Sequence, residues 1–168
     1  MASHDPSSTP PAIFRFGEDA AMEPLIRGAG GAKAHVLIVD DNETNRQVLA
    51  ALCDLFDCTH QMARDGLEAI EIFATTAFDL VLMDIQMPRM DGIEATCAIR
   101  RASESGRWTP ILAVTANVEP SDVRAYLAIG MDGVVAKPIE AGRLLNAMLV
   151  ALKTPRRAST TGAHREAS

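Results

Sequence analysis

One stretch restricts the possible folds more than any other: Leu80-Val81-Leu82-Met83, followed at once by Asp84 and then by Ile85-Gln86-Met87-Pro88-Arg89-Met90-Asp91-Gly92. Four apolar residues are too few for a helix. With a turn behind them they read as a short strand covered on both faces. A carboxylate directly after such a run stands at the strand's carboxyl end, the edge at which open parallel sheets bind ligands. Proline disfavours a helical residue before it, and Asp91-Gly92 is turn chemistry, so the strand delivers Asp84 into a loop. Alone, such an Asp could do no more than cap that loop or the next helix.

The same pattern recurs along the chain. Val36-Leu37-Ile38-Val39 is a second buried run, ending in Asp40-Asp41. Asn42 is placed to cap a helix from Glu43 to about Phe56, with Val48, Leu49, Leu52 and Leu55 on one face. Residues 60–63 read as a weak edge strand. Asp65 and Glu68 make a capping-box-like start to a helix carrying Leu67, Ile70 and Ile72. After Gly92 a helix runs to about Ser103, and Ser105-Gly106-Arg107 reads as a polar loop. Ile111-Leu112-Ala113-Val114 ends in Thr115. Pro120 suits the first turn of a short helix that Gly130 stops. Val134-Val135-Ala136 ends in Lys137-Pro138, and the last helix has apolar residues at 141, 144, 145, 148, 149 and 152. Five strands alternating with five helices predict an α/β chain: a flavodoxin-like, doubly wound parallel sheet with strand order 2-1-3-4-5.

The 168 residues suffice for one domain with an aliphatic core. Residues 34–152 hold nine basic and 17 acidic side chains, a net charge of −8, which argues against DNA or RNA as the main partner. No apolar run approaches the roughly 20 residues of a membrane span. The N-terminus lacks a basic segment followed by an apolar one, so a cytoplasmic protein without membrane insertion is expected. Cys53, Cys58 and Cys97 are odd in number and lack metal-ligand spacing, which predicts buried, reduced thiols. Residues 1–33 open with Ser, Pro and Thr and close with Gly28-Ala29-Gly30-Gly31, the composition of a flexible extension. Those glycines precede a strand and lack a following Gly-Lys-Ser/Thr, so they are not a phosphate loop. Residues 34–152 are the expected domain and 153–168 a disordered basic tail, too short for a DNA-binding output domain.

The strand ends are chemically loaded. In a parallel sheet Asp40, Asp41, Asp84, Thr115 and Lys137 all emerge on one edge. Carboxylates so close together raise one another's pKa unless a cation lies among them, and an all-oxygen donor set suits magnesium. One carboxylate can then act as a nucleophile on phosphorus, with a hydroxyl and an ammonium holding the phosphoryl oxygens. Lys137 is the single lysine among the nine bases of residues 34–152. At the end of a buried strand an unpaired ammonium is costly, which marks it for such a role, although pairing with an Asp would also explain it.

Val-Asp-Asp-Asn at 39–42, Met-Asp-Ile-Gln-Met-Pro-Arg-Met-Asp-Gly at 83–92, Val-Thr-Ala-Asn at 114–117 and Lys-Pro at 137–138 resemble the response-regulator receiver domain of two-component signalling. The wording resembles most the receivers of hybrid histidine kinases. The resemblance spans about residues 34–152. It implies Asp84 as the phosphoacceptor and Mg2+ held by Asp41, by Asp84, by Asp40 largely through water and by the backbone carbonyl of Gln86. It further implies Lys137 against the phosphoryl group, across a cis Lys-Pro bond, and Thr115 moving to contact it. Gln86, Ala116 and Asn117 would be neighbours of the phosphoryl site, Gln86 and Asn117 setting its lifetime. The implied partners are a histidine kinase or histidine phosphotransferase and a downstream protein. The implied role is a single-domain response regulator, a phosphoacceptor and not an enzyme.

The chain departs from the family at Val134, where receivers usually carry Tyr or Phe, a ring that turns inward on phosphorylation. That departure keeps open a receiver-like binding module whose contacts do not depend on phosphate. A haloacid-dehalogenase-like phosphatase would also use a nucleophilic Asp, magnesium, a Thr and a Lys. It needs a second Asp two residues after the nucleophile, and this chain has Gln86 there.

Overall fold

The computed structural model describes residues 26–154. Strands β1 (His35–Val39), β2 (Thr59–Ala63), β3 (Leu80–Asp84), β4 (Ile111–Thr115) and β5 (Gly133–Ala136) form one sheet. Its order is β2-β1-β3-β4-β5 and every neighbouring pair is parallel, as the sequence predicts. Among the described residues six α-helices surround it: α1 (Glu43–Leu55), α2 (Gly66–Thr75), α3 (Gly92–Ala102), α4 (Glu104–Trp108), α5 (Pro120–Ala128) and α6 (Ala141–Lys153).

The pleat of each central strand divides the core in two. Val36, Ile38, Leu80, Leu82, Leu112 and Val114 pack with Leu49 and Cys53 of α1 and Leu144 and Met148 of α6. Leu37, Val39, Val81, Met83, Ile111 and Ala113 pack with Ala69 of α2, Ala95 and Ile99 of α3, and Tyr126 of α5. With helices on both faces, the central strands must be apolar throughout. Their polar residues can therefore stand only at the ends.

Several local expectations need correction. On α1 the buried residues are Leu49, Ala50 and Cys53, whereas Val48 is 42% and Leu55 64% exposed. The inward stripe is turned by about one residue from the one that bulky side chains suggest. On α2, Asp65 accepts from the Glu68 amide, but the Glu68 carboxylate reaches back to the Arg64 amide, so the box is incomplete. A complete capping box opens α3 instead, between Asp91 and Glu94. Leu67 and Ala141 are exposed. Residues 105–107 belong to α4: the Ser103 hydroxyl accepts from the Gly106 amide at 3.0 Å. Glycine is required there, because a Cβ would come within 2.0 Å of the Ile99 carbonyl.

The stretch expected to be flexible up to residue 33 is docked from Ile26 onward. Ile26 is fully buried, its carbonyl accepts from the Ala34 amide, and Asp79 binds the Ala29 and His35 amides at 2.8 Å each. The flexible character expected of residues 1–25 and of the basic tail from 155 falls outside the described residues. Cys53 and Cys58 are buried free thiols. Burial foremost, then neighbouring acidic and thiol groups, pushes them up to about 12 and about 11. None of the described helices is long and apolar enough to cross a membrane.

Candidate functional site

Register explains why the loaded residues meet. Val39 lies beside Met83, so Asp40 and Asp84 leave adjacent strands at the same level. Asp84 in turn lies beside Val114, and Thr115 beside Ala136. The Lys137 amide continues the ladder by donating to the Thr115 carbonyl at 2.9 Å. The bond from Lys137 to Pro138 is cis.

Asp40, Asp41 and Asp84 place carboxylate oxygens all within 4.8 Å of one another. Lys137 Nζ donates to Asp40 Oδ2 at 2.9 Å and lies 3.2 Å from Asp84 Oδ1. Asp40 is fully buried, Asp84 nearly so, and Asp41 is exposed. Asp84 Oδ1 also accepts from the Gln86 amide at 3.3 Å, which leaves Oδ2 as the less engaged oxygen. The Thr115 hydroxyl is buried and accepts from the Asn117 amide at 3.1 Å. Gln86, Ala116 and Asn117 sit exposed on the two loops beside the cleft.

Three carboxylates face one ammonium. Burial first, and the Asp40 charge second, push the Asp84 carboxyl up to about 6, against the opposite pull of Lys137 and the Gln86 amide. Burial by itself would lower Lys137. Hydrogen bonding and charge from Asp40, then from Asp84, outweigh it and hold the ammonium above its ordinary range. Surplus negative charge, oxygen-only donors and one solvent-facing carboxylate fit a hard divalent cation that keeps part of its water shell.

Sequence reasoning missed the supports of this cluster. Asp40 Oδ1 is fixed by the Asn42 amide at 2.9 Å and the Asn45 side chain at 3.3 Å. Arg46 Nη1 donates to the carbonyls of Asp40 and Asp41 at 2.8 and 3.1 Å. The only sequence sign was Asn42, whose side chain caps α1 through the Asn45 amide as expected. Val134 lines an open groove of about 400 Å³ with Val118, Val123, Val135, Ala136 and Arg143.

Residues 36–149 match the family described as response regulator receiver domain. The chain is 41% identical over 136 residues to transcription factor SKN7 of Chaetomium thermophilum, covering 77% of this chain and 17% of that protein. The chain thus spans less than a fifth of the length of the curated relatives it matches. Among solved structures it is similar to the receiver domain of sensor histidine kinase PA1611 from Pseudomonas aeruginosa, which has a magnesium ion in its active-site cleft (32% identity, TM-score 0.67, 73% of this chain and all of that one). It is also similar to the receiver domain of the Saccharomyces cerevisiae response regulator Ssk1, crystallised with the histidine phosphotransfer protein Ypd1 (30% identity, TM-score 0.65, 71% of this chain and 88% of that one).

Proposed function

Because the chain belongs to the response regulator receiver family, we propose that it accepts a phosphoryl group on Asp84 from a histidine kinase or a histidine phosphotransfer protein. It hands the signal on by protein contact or by further phosphotransfer. The observation that carries this reading is the meeting of a single ammonium with two buried carboxylates at the sheet's carboxyl edge. Fold stability alone gives no reason to bury surplus negative charge.

Asp84 Oδ2 attacks the phosphorus of a phosphohistidine; the new P–O bond forms as the P–N bond breaks, and the imidazole nitrogen keeps the electron pair. Asp84 Oδ1 stays anchored by Lys137 and the Gln86 amide, so the carboxylate presents one oxygen in a fixed direction. As charge builds on the phosphoryl oxygens, Lys137 shifts its hydrogen bonds toward them, and the Thr115 hydroxyl, at the next strand end, donates to one. Magnesium bound by Asp41, Asp84, the Gln86 carbonyl and, through water, Asp40 would neutralise phosphoryl charge. Asp84 is thus an acceptor in a relay and not a turnover catalyst. Gln86 offers no carboxyl for general-acid work, which counts against a phosphatase.

The groove at Val134 favours a second reading, in which a partner side chain occupies that space whether or not Asp84 is phosphorylated. Intact-mass analysis with acetyl phosphate tests the first. Wild type is expected to gain one phosphoryl group only with magnesium present, and Asp84→Asn none. Labelling of Asp84→Asn, or labelling without magnesium, would overturn it. Partner binding indifferent to Asp84 phosphorylation would favour the second.

A further inference from the structure

Asp65 is 2% exposed at the start of α2, far along the chain from the cluster above. One of its oxygens is used as a helix cap, accepting from the Glu68 amide at 2.9 Å. The other is bonded to the guanidinium of Arg89. Arg89 lies on the loop between β3 and α3, and its backbone is left-handed, with φ 68°. A non-glycine residue holds that conformation only where its surroundings enforce it. The next residue, Met90, lies against Gly66, so the apex of the loop is seated on the first turn of α2 at two adjacent points.

The base of the same loop is closed by the Gly92 amide donating to the Ile85 carbonyl at 2.9 Å. Between base and apex stands Gln86, whose amide touches Asp84. Closing the base fixes where the loop begins and ends, but not how residues 86–91 orient between those points. Within the loop the Met90 amide donates to the Pro88 carbonyl at 2.8 Å, and the ion pair ties that turn to the start of α2. A buried carboxylate holds its cation firmly, because losing the partner would strand a charge away from water.

We propose that Arg89 and Asp65 form a strut that positions the Gln86 peptide for the metal and the phosphoryl group: Arg89 is a positioning residue of the receiver site. The inference rests on the function proposed above and names a part of the site that the sequence pattern did not mark. It makes one arginine on an exposed loop a determinant of metal affinity without contact to the metal.

Three full-chain variants test it. Arg89→Gly removes the guanidinium while suiting the left-handed backbone. Arg89→Lys keeps a charge without the fork. Asp65→Asn keeps an oxygen for the α2 cap but loses the anion. Arg89→Gly is expected to weaken magnesium binding by about tenfold in calorimetry, the scale seen when a group supporting a ligand is removed. In the metal-free protein it should speed amide exchange at residues 86–91 and lower the thermal midpoint, because the buried Asp65 carboxylate loses its cation. Asp65→Asn should reproduce the affinity loss, and Arg89→Lys should recover part of it. A merely structural pair would move the midpoint and leave magnesium affinity alone. Wild-type affinity and unchanged loop exchange in Arg89→Gly would overturn the strut. Failure of the wild-type protein to bind magnesium would overturn both the strut and the receiver reading beneath it.

Discussion

Among the described residues, two partly buried clusters of charge are built on opposite principles. Arg100 is held inside α3 with its donors matched: Nε and Nη2 to the Gly130 carbonyl, Nη1 to the carbonyls of Gly106 and Thr109, and Nη2 to Asp132 at 3.1 Å. Asp132 in turn accepts from the Ile111 amide at 2.8 Å. Arg100 and Asp132 pair as cation and anion, and backbone carbonyls accept from the guanidinium as well. At the carboxyl edge of the sheet, Lys137 meets two buried carboxylates with a third nearby. The first cluster ties together α3, α4 and the turn before β5. The second is left short of positive charge. A buried charge network that closes on itself holds structure; one with capacity to spare is available for a ligand.

The comparison can be broken first at its stable end. Arg100→Ala should cost about 1–3 kcal/mol in urea unfolding, because it removes the Arg100 donors from Asp132 and from several carbonyls. Magnesium affinity of the folded protein should be unchanged. A loss below about 1 kcal/mol would show that the network was not holding the fold.

At the other end, Asp84→Asn should stabilise the magnesium-free protein by about 1–3 kcal/mol at pH 7.5, since it removes a carboxylate whose ionisation folding opposes. The pH dependence has a definite sign. Burial, and then the Asp40 charge, push the folded carboxyl up to about 6, above its usual value of 3.8. The folded state therefore binds more protons between those pH values, and its stability falls as pH rises through them. The gap between variant and wild type should be small at pH 4 and widen to pH 7. Magnesium should narrow it. A gap that shrinks with rising pH would contradict the surplus-charge account.

Lys137→Ala sharpens the contrast in function. It should still bind magnesium, since the three carboxylates remain, but lose phosphorylation by acetyl phosphate. Normal labelling would make Lys137 as structural as Arg100.

Val134→Tyr should have the smallest effect, leaving magnesium binding and labelling unchanged. Filling the groove should enlarge the amide shift changes over residues 134–150 when beryllofluoride and magnesium are added. Changes already as large in wild type would show that valine suffices.

The sheet and its loaded edge were legible because each buried strand is an apolar run ended by one polar residue. Parallel register then brings those ends together without further information. What was hidden depended on contacts distant in sequence. Val48 and Leu55 mimic a core stripe, while the small residues Ala50 and Cys53 are the ones that fit against the sheet. Helix α4 exists because Gly106 approaches Ile99, which no local propensity announces. Residues 26–33 have linker composition, yet Asp79, 50 residues from Ala29, holds the Ala29 amide. Arg46 and Arg89 resembled any other solvated arginine until the loops they hold were in place.

The docking of Ile26 also bears on how this unit can be connected to other chains. Arg27, Gly28 and Ala29 share a cleft with Ala151, Leu152 and Thr154, beside Asp79 and Pro110, which precede β3 and β4. The first and last described residues therefore leave side by side from the amino edge of the strands, opposite Asp84. A body whose two ends emerge together can be spliced into a host loop, or strung between neighbours, like a bead with both threads at one pole. Whatever is attached there starts from the pole opposite Asp84.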